Sequence, residues 1–129
     1  MKHIFLTGQV QCGKSTLIQR VLSALDPLRL GGFRSISVAS IIPGAFAEVY
    51  LVPAIDDNPR LTRDNLIGIR WNSYGFTAYP AAFDNYGVQL LQNSSQAQLM
   101  LMDELGMMEN EAPLFIDQVK RHLDGSIPI

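Results

Sequence analysis

The stretch from Ile4 to Arg20, IFLTGQVQCGKSTLIQR, restricts the fold more tightly than any other part of the chain. At its centre, Gly8-Gln9-Val10-Gln11-Cys12-Gly13-Lys14-Ser15 fits the phosphate-loop pattern G-x-x-x-x-G-K-[ST] at every fixed position. His3 to Leu6 reads as a buried strand before it, and Leu17, Ile18, Val21, Leu22 and Leu25 recur at helical spacing after it. Gly8 and Gly13 let the backbone turn back so that successive N–H groups point into one concave site that holds anionic oxygens. A helix starting near Gly13 directs its positive end at the same place. Asp26-Pro27 is its expected stop.

The pattern gives each residue a task. The amides of Gly8, Gln9, Val10, Gln11, Cys12 and Gly13 line the nest, and Lys14 reaches the β and γ oxygens of a polyphosphate. The Ser15 hydroxyl ligates Mg²⁺, and Thr16 contacts the α-phosphate. A glycine-containing turn that carries Lys and Ser by coincidence is the plain alternative, and the placement between strand and helix argues against it. Cys12 sits beside Lys14 near a helix N-terminus, where a thiol can be acidified. A small residue tolerated at a variable loop position is its simpler description.

With 129 residues, the chain has room for one hydrophobic core, so residues 1–129 are expected to form a single domain. Apolar residues make up 47% and charged residues 17%, with no apolar run near the roughly 18 to 20 residues of a membrane span. Ten basic and twelve acidic side chains leave a formal charge of −2, which provides no positive field to gather nucleic acid. Met1-Lys2-His3 leaves no space for a leader before the first strand, and a single cysteine excludes an internal disulfide. Both point to the cytoplasm.

Beyond the first helix, Leu28 to Gly32 reads as a turn, and Gly32–Ile42, Ala45–Val52 and Leu66–Trp71 read as strands, separated by Pro43-Gly44 and by an exposed loop from Pro53 to Asn65. Three strands in succession suggest an antiparallel hairpin or meander inserted into an alternating α/β chain. Tyr79-Pro80 can open a helix running to about Gln92, although Gly87 weakens it by about 1 kcal/mol relative to alanine. Ala97 to Met102 is a short apolar strand ending in Asp103-Glu104. Glu111 to Leu123 is helical, with Pro113 in its first turn and Lys120, Arg121 and His122 complementing the dipole in its last. Ser126 to Ile129 has the composition of another strand.

An apolar strand ending in Asp-Glu matches a Walker B element. At the carboxyl end of a central strand, Asp103 would face the phosphate loop and hold Mg²⁺, while Glu104 would polarise an attacking water as general base. Taken alone, such a pair is more often a solvated turn; the loop at Gly8 to Ser15 is what gives it weight.

With both motifs in place, the chain resembles the THEP1-like nucleoside-triphosphatases, P-loop proteins that carry a glutamate beside the Walker B aspartate. LTGQVQCGKSTLIQRVL resembles their phosphate loop and first helix, and GGFRS their second-strand opening. LMLMDELGMMENEAPLF resembles their D-E-[IL]-G-x-M-E-x-x-S-x-x-F block, with Asp103, Glu104, Gly106, Met108, Glu109 and Phe115 on the family's positions and Ala112 where serine is usual. The resemblance implies an α/β fold of the RecA/ASCE type: a mostly parallel sheet flanked by helices, carrying the antiparallel insertion and lacking its C-terminal strands. It implies Mg²⁺-dependent hydrolysis of a nucleoside 5′-triphosphate, ATP or GTP foremost, with Lys14 and Glu104 catalytic and Ser15 and Asp103 on the metal. Phosphoryl transfer to a small acceptor or polynucleotide, and nucleotide binding without turnover, are the alternatives. An incomplete sheet edge would favour self-association. Arg34, Arg60, Arg63 and Arg70 are arginine-finger candidates by charge alone, with surface solvation the simpler role for each.

Overall fold

The computed structural model describes residues 3–26 and 28–129. Met1, Lys2 and Pro27, and with them the leader argument and the proline stop of the first helix, lie outside the described residues. The elements run α1 (Lys14–Ala24), β1 (Leu30–Ala39), β2 (Ala45–Pro53), β3 (Leu66–Trp71), β4 (Phe76–Ala78), α2 (Pro80–Ala82), α3 (Val88–Gln92), β5 (Leu99–Asp103) and α4 (Pro113–Leu123). A π-helical turn at Phe83–Gly87 joins α2 to α3, so the helix expected from Tyr79 to Gln92 forms as one path with a local widening.

The strands form one sheet in the order β4-β3-β2-β1-β5. Among the described residues only β1 and β5 pair in parallel; β1–β2, β2–β3 and β3–β4 are antiparallel. The mostly parallel sheet expected from the sequence is therefore corrected to a mixed, mostly antiparallel one. The meander read as an insertion supplies three of the five strands, and β4 extends it by a fourth. The cause is local: Pro43-Gly44 and the 72–75 turn connect neighbouring strands too tightly for a crossover helix, which a parallel pair needs. β1 begins at Leu30 and ends at Ala39, earlier at both ends than expected, and β4 followed a turn with no strand signal of its own.

One face of the sheet carries the core. Phe33, Val49, Leu51, Ile67 and Met100 meet Phe83 and Leu91 from the π-turn and α3, and Phe115 and Val119 from α4. Phe115 stacks obliquely on both Phe33 and Phe83, with ring centroids 5.3 and 5.0 Å away. Its ring fills the place a side chain at Gly87 would take, which explains a glycine inside that helical path. No side chain at the N-cap residue Ala112 satisfies the first turn of α4; the Phe115 N–H donates instead to Asp84 Oδ1 at 2.9 Å. The basic last turn is also used: His122 Nε2 bonds the Leu91 carbonyl at 3.0 Å, and Arg121 pairs with Asp117 across one exposed turn. The loop from Pro53 ends in a buried anchor rather than in solvent. Asn65 Nδ2 donates to the carbonyls of Leu51 and Arg60, and its Oδ1 accepts from Thr62 N–H.

α1 stands apart, burying no residue completely. Ile18 and Leu22 turn toward the sheet's second face, while Leu17, Val21 and Leu25 from the same apolar stripe are exposed. His3 to Leu6 is not a strand. Ile4 N–H donates to the Ile129 carbonyl at 2.8 Å, and Met100 N–H to the Pro128 carbonyl at 2.9 Å. The final residues thus lie between β5 and the segment leading into the loop, and Ile4 and Phe5 are 84% and 75% exposed.

Close approach of β1 to β5 depends on Gly32, which has φ +89° and faces the Leu101 backbone so tightly that a Cβ would overlap it. Its N–H is taken by Ser94 Oγ at 2.8 Å. Gly32→Ala should therefore cost about 3 kcal/mol or more in urea unfolding. Gly106→Ala, where a Cβ meets nothing, should stay within about 0.5 kcal/mol of wild type.

Candidate functional site

The loop before α1 is a nest. Gly8, Gln11 and Gly13 have φ of +157°, +60° and +96°, and Gly13 is the N-cap of α1. No side chain caps that end, so the first-turn N–H groups of α1 remain open to an anion. Lys14 Nζ reaches back across the loop and donates to the Gly8 and Gln9 carbonyls at 2.9 and 2.7 Å, with Cys12 Sγ at 3.9 Å. These are two neutral acceptors on an exposed ammonium, an arrangement that a polyphosphate can displace by offering charged oxygens. Gln9, Val10, Gln11, Cys12, Gly13 and Thr16 are exposed.

β5 places the acidic pair. Met100 and Met102 turn into the core, so Leu101 and Asp103 alternate onto the face toward α1. There a cavity of about 770 Å³ is walled by Ser15, Ile18 and Leu22 of α1, by Arg34 of β1, and by Leu101 and Asp103 of β5. Ser15 and Asp103, the two residues read as metal ligands, are thus brought to one space. Burial raises the Asp103 carboxyl above its ordinary 3.8 and the neighbouring Glu104 charge raises it further, while Arg34 and Lys14 pull it down. Two oxygen donors beside a phosphate nest suit a hard cation that keeps several waters, as Mg²⁺ does. Among the described residues no three His, Cys, Asp or Glu side chains gather as a ready-made metal cluster.

Glu104 goes elsewhere. It is exposed and lines a second cavity, of about 550 Å³, on the sheet's other side. Ser35 holds the junction: its Oγ donates to the Asp103 carbonyl at 3.2 Å and accepts from the Glu104 N–H at 3.3 Å. Ser35 closes the GGFRS stretch but was given no role from the sequence; the Arg34–Asp103 register of β1 and β5 places it there. Of the four arginines, Arg34 alone lines the cavity with Ser15, and its guanidinium is steadied by the Asp56 carbonyl. Arg70 borders the second cavity, and Arg63 a depression of about 620 Å³ beside α2, away from the loop. Among the described residues no helix is long and apolar enough to cross a membrane.

A nucleotide-type phosphate nest facing a strand-end aspartate defines the class as a P-loop protein. The family model for NTPase matches residues 3–129, and the chain belongs to that family, the THEP1-like nucleoside-triphosphatases. No curated protein and no solved structure matched it.

The raised Asp103 carboxyl sets a pH dependence. As pH falls, Asp103 takes up its proton at a higher pH than a free aspartate and loses the charge that attracts a cation. Manganese binding in the presence of nucleotide, followed by water-proton relaxation, should weaken as pH falls, starting above the ordinary aspartate range. Asp103→Asn should bind more weakly throughout and lack that pH-dependent component.

Proposed function

We propose that the chain hydrolyses a nucleoside 5′-triphosphate to the diphosphate and phosphate, ATP or GTP foremost, with Mg²⁺. The observation that carries this reading is the meeting of Ser15, Arg34 and Asp103 in one cavity that runs beneath α1 from its first turn. Family membership supports nucleoside triphosphate as the substrate class. The loop amides and the α1 N-terminus hold the phosphates, and Lys14 exchanges its carbonyl partners for the β and γ oxygens. Ser15 and Asp103 would hold Mg²⁺, which neutralises charge building on the transferring phosphoryl group. Arg34 adds a fixed positive charge from β1. Glu104 orients the attacking water and takes its proton.

Phosphate release from ATP, GTP, CTP and UTP tests the reading. Lys14→Ala should weaken nucleotide binding by at least about tenfold, consistent with loss of a charge-assisted contact. Glu104→Gln should retain binding and lose about 10²–10⁴ in turnover. Full phosphate release by both variants would overturn the assignment. Without a residue from a partner to act on the phosphoryl group, turnover should be slow.

A further inference from the structure

The two neighbouring carboxylates of the Asp-Glu pair serve different spaces. Asp103 faces the phosphate-loop cavity and Glu104 the second one, and Ser35, which bonds the backbone between them, is the one residue lining both. The second cavity is walled by the rings of Phe46, Trp71, Tyr74 and Phe76. Two of these rings are kept largely in solvent, Tyr74 at 97% and Phe46 at 67% exposure. Exposed rings gathered round a concavity mark a binding surface, since a planar ligand can stack on them.

At the inner wall lies Glu109, only 8% exposed, whose side chain has no hydrogen bond or ion pair among the described residues. Glu109 is part of the lining of this cavity. A carboxylate with no protein donor is free to accept N–H groups from a ligand in the cavity. The required ligand therefore has a flat ring, an N–H edge for Glu109 and a hydroxyl within reach of Glu104. Two carboxylates against the single guanidinium of Arg70 favour a neutral molecule over an anionic one. The volume lies within the roughly 300–1,000 Å³ typical of small-molecule sites.

We propose that this cavity binds a nucleoside as phosphoryl acceptor, so that a nucleoside hydroxyl competes with water at Glu104. The proposal rests on the nucleotide-binding reading for its phosphoryl donor. The acceptor oxygen forms a bond to the γ-phosphorus and passes its proton to the Glu104 carboxylate. The bond from that phosphorus to the bridging oxygen breaks, and its electron pair leaves with the nucleoside diphosphate. Guanosine is the preferred first acceptor, because its N1–H and 2-amino group can meet the two Glu109 oxygens side by side.

Trp71, the chain's single tryptophan, reports on the pocket without any nucleotide donor. Guanosine should change its fluorescence saturably, and ribose should not. Glu109→Gln should weaken guanosine at least tenfold; Tyr74→Ala, at an exposed position, should weaken it several-fold if the first variant fails to fold. With γ-labelled triphosphate, part of the label should appear in guanosine and phosphate release should fall correspondingly. Absence of saturable guanosine binding by folded wild-type protein overturns the proposal, whatever the rate of hydrolysis. Guanosine binding with label passing only to water overturns the acceptor role. If no triphosphate is turned over at all, the hydrolase reading fails by itself, and the Trp71 titration alone decides the pocket.

Discussion

Parallel pairing of β1 with β5 is the constraint on which the site depends. It sets Arg34 opposite Asp103 and Gly32 opposite Leu101, and it delivers Ser35 to the end of β5, where it bonds both sides of the acidic junction. A register shift of one residue would turn Asp103 into the core and a methionine toward the phosphate loop, because strand side chains alternate with a period of two. The glycine at 32 is therefore more than a turn residue. Its bare backbone allows the strands to close, and Ser94, at the end of α3, takes the N–H that the tight approach leaves over.

Much of this was legible in the chain, for identifiable reasons. The phosphate loop was readable because its geometry requires particular residues: glycines at two of its three positive-φ positions, a lysine, and a hydroxyl. α4 and β5 were readable because each buries one face against a continuous core, which imprints a period on the sequence. Sheet direction was not legible. Periodicity shows that a segment is extended and which face is apolar, and it says nothing about the neighbour's direction, so a parallel sheet borrowed from the resemblance overrode the tight-turn signals at Pro43-Gly44 and 72–75. The stripe on α1 shows the same limit. Ile18 and Leu22 meet the cavity beneath the helix, whereas Leu17, Val21 and Leu25 meet nothing that buries them.

Ser35 and Arg34 illustrate a second kind of illegibility. Both stand in the GGFRS stretch, yet nothing in that stretch shows what they do, because each acts through a strand pairing with residues far away in the chain. The serine usual in the family at position 112 shows the converse. With alanine as the N-cap of α4, the acceptor for the first turn comes from Asp84 in the π-turn instead. Such exchanges are expected where a group's physical need, here a donor N–H at a helix start, can be met from several directions.

The separation of Asp103 from Glu104 has a chemical consequence for any reaction carried out between them. A cation-facing carboxylate works best beside positive charge and phosphate, and Arg34 and Lys14 supply the positive charge on that side. A proton-accepting carboxylate works best when the cation does not occupy it, because a bound metal would hold down its proton affinity. By fixing the peptide between them, Ser35 lets adjacent residues meet these opposed requirements on opposite sides of one strand end. On the proposed reading, what the aromatic side admits decides the nucleophile, and the phosphate side is unchanged by that choice.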